Sequence, residues 1–331
     1  YRVGMTPDNV KSYVNAGHTV CIERGAGEGS GFKDSEYSAA GAFLCGSAEE
    51  VWEKSDMIIK VKEPLPEEYQ YFREDLTLYT YFHLAADEKL TDALLDAGVK
   101  SVAYETLMEK NGSLPLLAPM SQIAGRLSIQ EGAKYLEKPF GGRGILLSGV
   151  PGTPKAKVVI LGGGSVGTNA CKTAVGIGAD VTILDVNLER LAYLDDIFGA
   201  RIQTLYSTDA AIEKETAEAD LVVGAVLIPG KSAPKLMKKE YLKNMKPGSV
   251  IVDVAVDQGG CCETTKATYH DDPVYTVDGV VHYCVGNMPG AVPRTSTIAL
   301  TNATLKYGLQ IAEKGLENAC RENEAIYSAV N

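Results

Sequence analysis

The chain has 331 residues, more than one hydrophobic core usually serves, so we expect two domains with a cleft between them. It carries 43 acidic and 32 basic residues, a net charge of −11, and no basic run, which argues against nucleic acid as a partner. No apolar run approaches the roughly 20 residues that cross a bilayer, so we expect no membrane insertion.

The first hundred residues alternate short β-rich runs with helical patterns. The β-rich runs lie at 18–23, 57–62, 77–83 and 101–105, with helical patterns at 49–54 and 87–97. This alternation predicts a parallel sheet flanked by helices. A helical stretch at 121–137, a glycine-rich loop at 141–144 and a turn-forming segment at 150–154 then lead to the second half of the chain.

The second half repeats the alternation with strands that are almost wholly apolar. These strands are predicted at 158–161, 181–184, 221–226 and 249–254. Near-continuous apolar strands indicate a sheet covered on both faces. Helical patterns follow at 298–314 and 318–331, and the first of them could return the chain to the first domain. The predicted fold class is α/β, with two doubly wound parallel-sheet domains.

The start of the chain and its cysteines bear on the compartment. The first seven residues lack the basic and apolar parts of a secretory signal, which favours the cytoplasm. Seven cysteines are an odd number and show no CxxC pair or zinc-finger spacing, so we expect reduced thiols and no metal. The adjacent Cys261 and Cys262 could form a vicinal disulfide, but two free thiols in a loop are the simpler interpretation.

The strongest motif joins an apolar strand to a glycine-rich turn and a helical pattern. The first strand of the second half runs directly into Gly162, Gly164 and Gly167, spaced as G-x-G-x-x-G. The first glycine permits a tight turn, the second lets a pyrophosphate approach the backbone, and the third lets helix and strand pack closely. Ser165 and Val166 would open the helix, whose N-terminus attracts phosphate. By itself the glycine spacing is a weak signal.

The next strand ends in Asp185, close to the expected spacing of about 20 residues from the glycines. Its carboxylate should accept hydrogen bonds from the adenosine ribose and would repel a 2′-phosphate, so NAD is favoured over NADP. We expect no arginine near it. Two alternatives remain open, namely a purely structural turn in which Asp185 caps a helix, and an S-adenosylmethionine site. Val226 and Leu227, at the end of a further strand, are candidates for packing on the cofactor.

Four residues could carry out hydride chemistry on an amino acid. The reaction needs a cation for the carboxylate, a group that polarises the carbonyl oxygen, and a group that moves protons near neutral pH. Arg2 could hold a carboxylate in a bidentate pair, and Lys62 lies at a strand end. His83 also ends a strand, and Asp257 follows the last apolar strand. The simpler alternatives are solvated charges for Arg2 and Lys62, and a hydrogen-bonded structural histidine for His83.

Taken together, these segments resemble the alanine dehydrogenase family, within the wider group that includes the nicotinamide nucleotide transhydrogenase alpha subunit. The similarity runs almost from end to end. The matching segments are Arg2-Val3, Thr6-Pro7, 25–30, 60–64, 83–86, 116–121, Gly125-Arg126, 142–144, 162–167, 257–261 and 287–289.

The resemblance implies that Arg2 and Lys62 bind the substrate carboxylate and carbonyl, while His83 and Asp257 form the catalytic pair. The NAD contacts that it implies are Ser121, Asp185, Ser207, Leu227, Asp257, Asn287 and Met288. Transhydrogenase relatives lack a histidine like His83 and have Gln-Asn at Asp257-Gln258, which separates the two kinds of protein. Family members also have a strand before Arg2 and further residues at the C-terminus, so we expect this sequence to be a piece of a longer chain.

The activity implied by the resemblance is the NAD-dependent interconversion of L-alanine with pyruvate and ammonia, in a hexamer. We place the substrate domain at 1–117 plus 294–331 and the NAD-binding Rossmann domain at 118–293. Two alternatives remain, namely another amino-acid or opine dehydrogenase, and a transhydrogenase-like nucleotide-binding subunit without substrate chemistry.

Overall fold

The computed structural model describes residues 1–226 and 232–331. The chain folds into two compact units, one formed by Tyr1–Met120 together with Val292–Asn331 and the other by Ser121–Ala291. Both ends of the chain therefore contribute to the first unit. None of the helices in the described ranges is long and apolar enough to span a membrane.

The strands of the first unit form two small parallel sheets. Strand β1 (Cys21–Glu23) pairs with β2 (Phe43–Cys45), while β3 (Met57–Ile59), β4 (Thr77–Thr80) and β5 (Lys100–Ala103) pair in chain order. The α/β class and the four predicted strands are confirmed, with shorter bounds. The sequence pattern does not reveal β2, because this strand has only three residues and its Phe43 is exposed.

The helices of this part of the chain begin where side chains cap them. They are α1 (Pro7–Asn15), α2 (Asp34–Ala39), α3 (Ala48–Lys54) and α4 (Glu88–Ala97). Thr6 and Asn9 form a capping box at the start of α1. Asp87 accepts a hydrogen bond from the Leu90 amide at the start of α4, and Gly98 ends that helix in a left-handed conformation.

The described residues of the second unit form one seven-stranded sheet. Its strands are β6 (Lys157–Leu161), β7 (Asp180–Asp185), β8 (Gln203–Tyr206), β9 (Leu221–Gly224), β10 (Val250–Asp253), β11 (Val274–Val277) and β12 (Val280–Tyr283). They lie in the order β11-β12-β10-β9-β6-β7-β8, and all neighbours are parallel except β11 and β12. This is the doubly wound order of dinucleotide-binding sheets, which reverses direction between β6 and β9. The four predicted apolar strands are confirmed.

In the described ranges, four longer helices and a set of short 3₁₀ helices accompany these strands. The longer helices are α5 (Ala118–Tyr135), which starts at the end of the first unit, α6 (Ser165–Ile177), α7 (Leu188–Phe198) and α8 (Asp209–Ala217). The 3₁₀ helices of both units are Glu28–Ser30, Pro66–Tyr71, Leu84–Ala86, Lys138–Phe140, Gly199–Arg201, Lys239–Asn244, Val254–Gln258 and Met288–Ala291. Between β11 and β12, Asp278 and Gly279 have φ values of 48° and 80°, as a two-residue hairpin turn requires.

The chain then returns to the first unit through α9 (Pro293–Lys314), α10 (Leu316–Glu322) and α11 (Glu324–Tyr327). The prediction of one helical stretch over 318–331 is wrong. Asn323 has an extended conformation that ends α10, and its side chain accepts the Ala325 amide to start α11. Val330 then forms an antiparallel bridge with Val102 of β5.

The seven cysteines are free thiols, so the vicinal disulfide at Cys261 and Cys262 is not formed.

His282 is a fully buried titratable side chain on β12. Its Nδ1 lies 3.0 Å from the Val280 carbonyl oxygen, its Nε2 lies 2.9 Å from the Thr264 hydroxyl, and the Tyr275 ring stacks on it at 5.1 Å. Burial lowers the pKa of His282, against smaller opposing effects of the Val280 carbonyl and Asp253.

We therefore expect the free energy of unfolding to fall as the pH drops below about 6.5, the ordinary pKa of histidine. The unfolded chain takes up this proton at a higher pH than the folded chain does, so the loss reaches at most about 1.4 kcal/mol per pH unit. Urea unfolding at several pH values checks this. His282→Gln should show a shallower pH dependence than the wild type, and the exposed His270→Gln should not. If the free energy of unfolding changes with pH at the same rate in all three proteins, His282 is not the group that causes the loss of stability.

Candidate active site

The glycine turn after β6 has the geometry that its three glycines require. Gly162 has a φ of 105°, and a Cβ there would lie 2.8 Å from Cγ2 of Val226. A Cβ at Gly167 would lie 1.8 Å from the Gly162 carbonyl oxygen, so only glycine allows this packing of α6 on the turn. At Gly164 a Cβ would meet nothing within 4 Å. That open space lies at the N-terminus of α6, beside the exposed Ser165, and fits a pyrophosphate.

Asp185 lies against this turn, as its position at the end of β7 predicts. Its Oδ2 accepts the Gly163 amide at 2.6 Å, and its Oδ1 accepts the Asn187 amide at 2.8 Å. The Ser207 amide donates to the Asp185 carbonyl oxygen at 3.0 Å, so Ser207 is an immediate neighbour. The structure thus brings Asp185, Ser207 and the glycine turn together.

The expectation that no arginine lies near Asp185 is wrong. Arg190, on the first turn of α7, donates from Nε to the Gly163 carbonyl oxygen at 2.5 Å and from Nη2 to the Thr168 hydroxyl at 2.5 Å. A signal in the sequence could have predicted this contact. Asn187 caps α7, and Arg190, three positions after the cap, lies where a side chain points back over the preceding turn. Arg190 therefore supplies a cation at the turn, which sequence reasoning missed.

Asp257 and the Asn287 segment are also in contact. Asp257 is exposed on the 3₁₀ helix Val254–Gln258, and its carboxylate oxygens lie 3.2 and 3.3 Å from the Asn287 amide, which donates to them. Asn287 has a φ of 53°, and Met288 is buried at the start of the following 3₁₀ helix. The two predicted segments therefore form one cluster in the second unit.

A lysine and an aspartate hold the helix that carries Asp257. Lys235 donates from Nζ to the carbonyl oxygens of Gly259, Gly260 and Cys262, at 2.5, 2.9 and 3.1 Å. At the other end, Asp253 accepts the Ala255 amide at 3.1 Å.

Among the residues that the structure describes, Asp253, Cys261 and Cys262 form the one group of potential metal ligands, with their ligand atoms within 4.8 Å of one another. The carboxylate of Asp253 is already engaged, because its Oδ2 accepts the amides of Cys261 and Cys262 at 2.9 and 3.2 Å and the Thr265 hydroxyl. A hydrogen bond with Cys261 and complete burial raise the pKa of Cys262. The Asp253 carboxylate therefore ties the loop at Cys261 and Cys262 to the end of β10.

In the first unit, Glu63 lies beside both of the predicted substrate cations. Lys62 has its Nζ 3.5 Å from Oε2 of Glu63. Burial lowers the pKa of Arg2, while the nearby Tyr81 and Glu63 act in the opposite direction. Arg2 also donates to the Met120 sulfur at 3.2 Å. Glu63 is therefore an acidic residue near both predicted cations, and sequence reasoning missed it.

His83 is exposed and has the left-handed conformation φ 55°, ψ 38°. The Tyr81 ring lies parallel to its imidazole, with centroids 6.0 Å apart and an interplanar angle of 15°. Burial raises the pKa of Tyr81, against a smaller opposing effect of the Arg2 charge, so Tyr81 lies near both predicted residues. Its position two residues before His83, on the same face of the strand that the sequence predicts at 77–83, is the signal that could have found it.

Ser121 and Leu227 are the other two cofactor contacts that the resemblance implies. Ser121 lies half-buried in the first turn of α5. Leu227 lies outside the described residues.

Comparison with known proteins gives matches to two family models, which together cover almost the whole chain. The family model described as "Alanine dehydrogenase/PNT, N-terminal domain" matches residues 1–124, and the "Alanine dehydrogenase/PNT, C-terminal domain" matches residues 128–331. An alanine dehydrogenase of Methanococcus maripaludis is 59% identical over 331 residues, covering 100% of this chain and 89% of the relative.

Solved structures give the same result. An L-alanine dehydrogenase matches with a TM-score of 0.97 and 55% identity, over 100% of this chain and 91% of that chain. A transhydrogenase from Sinorhizobium meliloti matches with a TM-score of 0.81 and 28% identity, over 94% of this chain and 90% of that chain. The resemblance stated from the sequence motifs is confirmed.

Proposed function

The chain belongs to the alanine dehydrogenase/PNT family, and on this premise we propose that it catalyses the NAD-dependent oxidation of L-alanine to pyruvate and ammonia, and the reverse reaction. The observation that carries the proposal is the 59% identity to an alanine dehydrogenase over all 331 residues. A transhydrogenase-like role is less favoured, because the identity to the transhydrogenase structure is only 28%. Another amino-acid or opine dehydrogenase is the remaining alternative.

The second unit provides the residues for the cofactor. NAD supplies an acceptor for the hydride that leaves the α-carbon of alanine. Asp185 would bind the ribose hydroxyls, and the open N-terminus of α6 at Gly164 would hold the pyrophosphate. The remaining proposed contacts are Ser121, Gly162, Ser165, Val166, Gly167, Ser207, Val226, Leu227, Asp257, Asn287 and Met288.

The first unit provides the residues for the substrate. Arg2 and Lys62 bind the carboxylate and the carbonyl oxygen, because both are cations and both lie near Glu63 in this unit. His83 takes a proton from the water that attacks the imine and returns it to the departing nitrogen. From the second unit, the carboxylate of Asp257 would favour the cationic intermediates.

Assembly, location and domain roles complete the proposal. We assign the substrate domain to 1–117 plus 294–331 and the NAD-binding domain to 118–293. We also propose a homohexamer that works in the cytoplasm, where the free cysteines stay reduced.

The experiment that tests this function is an assay of the purified protein with NAD and a panel of amino acids. L-alanine should give NADH, with pyruvate and ammonia as products in equal amounts. A preference for another amino acid would favour the second dehydrogenase alternative. The absence of NADH with every amino acid, together with retained NADH binding, would favour the nucleotide-binding subunit.

The cofactor assignment predicts that Asp185→Ala or Asp185→Ser narrows the preference for NAD over NADP, by about tenfold or more. The substitution removes the ribose acceptor and its repulsion of a 2′-phosphate, and it leaves the Arg190 cation at the turn. The measurement is the ratio of kcat/KM for the two cofactors. Asp180→Ala, at the opposite end of β7, is the matched control and should leave the ratio unchanged. A wild type that uses both cofactors equally would contradict the assignment.

A further inference from the structure

Glu105 follows β5, and its carboxylate accepts backbone hydrogen bonds from the end of the neighbouring strand segment. The His83 amide donates to Oε1 at 2.6 Å, and the Phe82 amide lies 3.0 Å from Oε1 and 3.3 Å from Oε2. The strand β4 ends at Thr80, so strand pairing does not extend to these two amides. The Glu105 carboxylate therefore accepts the backbone hydrogen bonds that a neighbouring strand would otherwise accept at this point.

The backbone of His83 needs such support. Its φ of 55° is unfavourable for a residue with a side chain, and in the described part of the chain only Asp278 and Asn287 share this property among residues other than glycine. A left-handed conformation of this kind persists when the surrounding contacts determine it. Both amides find an acceptor oxygen on the Glu105 side chain, so neither backbone donor is left without a partner.

The conformation of this turn sets the direction of the imidazole. Phe82 is fully buried and fixes the chain on one side of His83. The 3₁₀ helix Leu84–Ala86 begins directly on the other side. Because the turn between them is held by Glu105, a loss of these hydrogen bonds would let the backbone of His83 relax and its imidazole move.

We propose that Glu105 is a positioning residue that holds His83 in the orientation required for proton transfer. The inference rests on the proposed function and deepens it. Glu105 acts through the backbone amides, by the reach and the acceptor oxygens of its side chain, and does not itself exchange protons with the substrate.

Two conservative variants separate the effect of the length of the Glu105 side chain from the effect of its negative charge. Glu105→Gln keeps the length of the side chain and a carbonyl oxygen that can accept both amides, so kcat should fall by less than about tenfold. Glu105→Asp keeps the charge but shortens the side chain, so the amides lose their acceptor and kcat should fall by about 10²-fold, as for Glu105→Ala. The KM for alanine should change little in all three variants, because Arg2 and Lys62 bind the carboxylate.

A double-mutant cycle tests whether the effect passes through His83. In the His83→Ala background, Glu105→Ala should lower kcat by less than about threefold further, because there is no imidazole left to position. Glu36→Ala is the matched control, since Glu36 accepts a single backbone amide, that of Lys33 at 2.7 Å, on a helix without site residues. Circular dichroism and an NADH titration confirm that each variant is folded.

Several outcomes overturn the proposal. If Glu105→Asp is active and Glu105→Gln is not, the negative charge of residue 105 supports catalysis and the length of its side chain does not. Independent, multiplying losses in the double-mutant cycle would show that Glu105 does not act through His83. If Glu105→Ala fails to fold, the comparison of kcat between Glu105→Gln and Glu105→Asp still tests the proposal. A wild type without alanine-dependent NADH formation would instead contradict the proposed function, and the two failures are therefore distinguishable.

Discussion

Replacing His83 with alanine should lower kcat by about 10²- to 10⁴-fold, the usual contribution of a general acid and base. After the hydride has left, water adds to the imine and ammonia departs, and both steps move protons. An exposed imidazole held on a fixed backbone is suited to this task. The measurement is steady-state turnover of L-alanine, together with an NADH titration that should be unchanged.

The matched control for this variant is His18→Ala, which removes another imidazole of the same unit, next to Tyr13. It should keep nearly the wild-type kcat. A folded His83→Ala protein with a turnover within about threefold of the wild type, far below the general acid and base range, would remove His83 from the mechanism.

Lys62→Ala should reduce kcat/KM for pyruvate by about 10- to 100-fold, because a hydrogen bond to a charged group contributes roughly 1.5–3 kcal/mol. The substitution also leaves Glu63 without the ammonium group at 3.5 Å, which adds a negative charge to the substrate region. The affinity for NADH should stay nearly intact, because the proposed cofactor contacts lie in the second unit. Reductive amination kinetics measure kcat/KM for pyruvate, and an NADH titration measures the affinity for the cofactor.

Lys54→Ala is the matched control, since Lys54 forms an ion pair with Glu50 on α3, away from the proposed site residues. It should leave kcat/KM for pyruvate unchanged. If Lys62→Ala lowers the affinities for pyruvate and NADH equally, misfolding explains the loss and the substrate role of Lys62 is contradicted.

The apolar strands of the second unit could be predicted because burial on both faces leaves a continuous hydrophobic run, as in β6 and β10. The strand β8 could not, since it lies at the edge of the sheet and its residues are exposed or half-buried. The break at Asn323 was also hidden, because a capping side chain ends one helix and begins the next without changing the hydrophobic pattern.

Part of the candidate site follows from local rules. The glycine turn and Asp185 obey a fixed spacing between neighbouring strands, and their contact through the Gly163 amide agrees with that rule. Glu105 and Glu63 could not be predicted in the same way. Glu105 meets the His83 amide only through the pairing of β4 with β5, and Glu63 resembles any solvated charge until its neighbours are known.

The central claim is that a hydride passes from the α-carbon of L-alanine to NAD, and alanine deuterated at that carbon tests it most directly. Mass spectrometry of the products should find one deuterium in each NADH, with pyruvate formed in equal amount, and none from unlabelled alanine. NADH that forms without deuterium, or no NADH from L-alanine at all, would contradict the account.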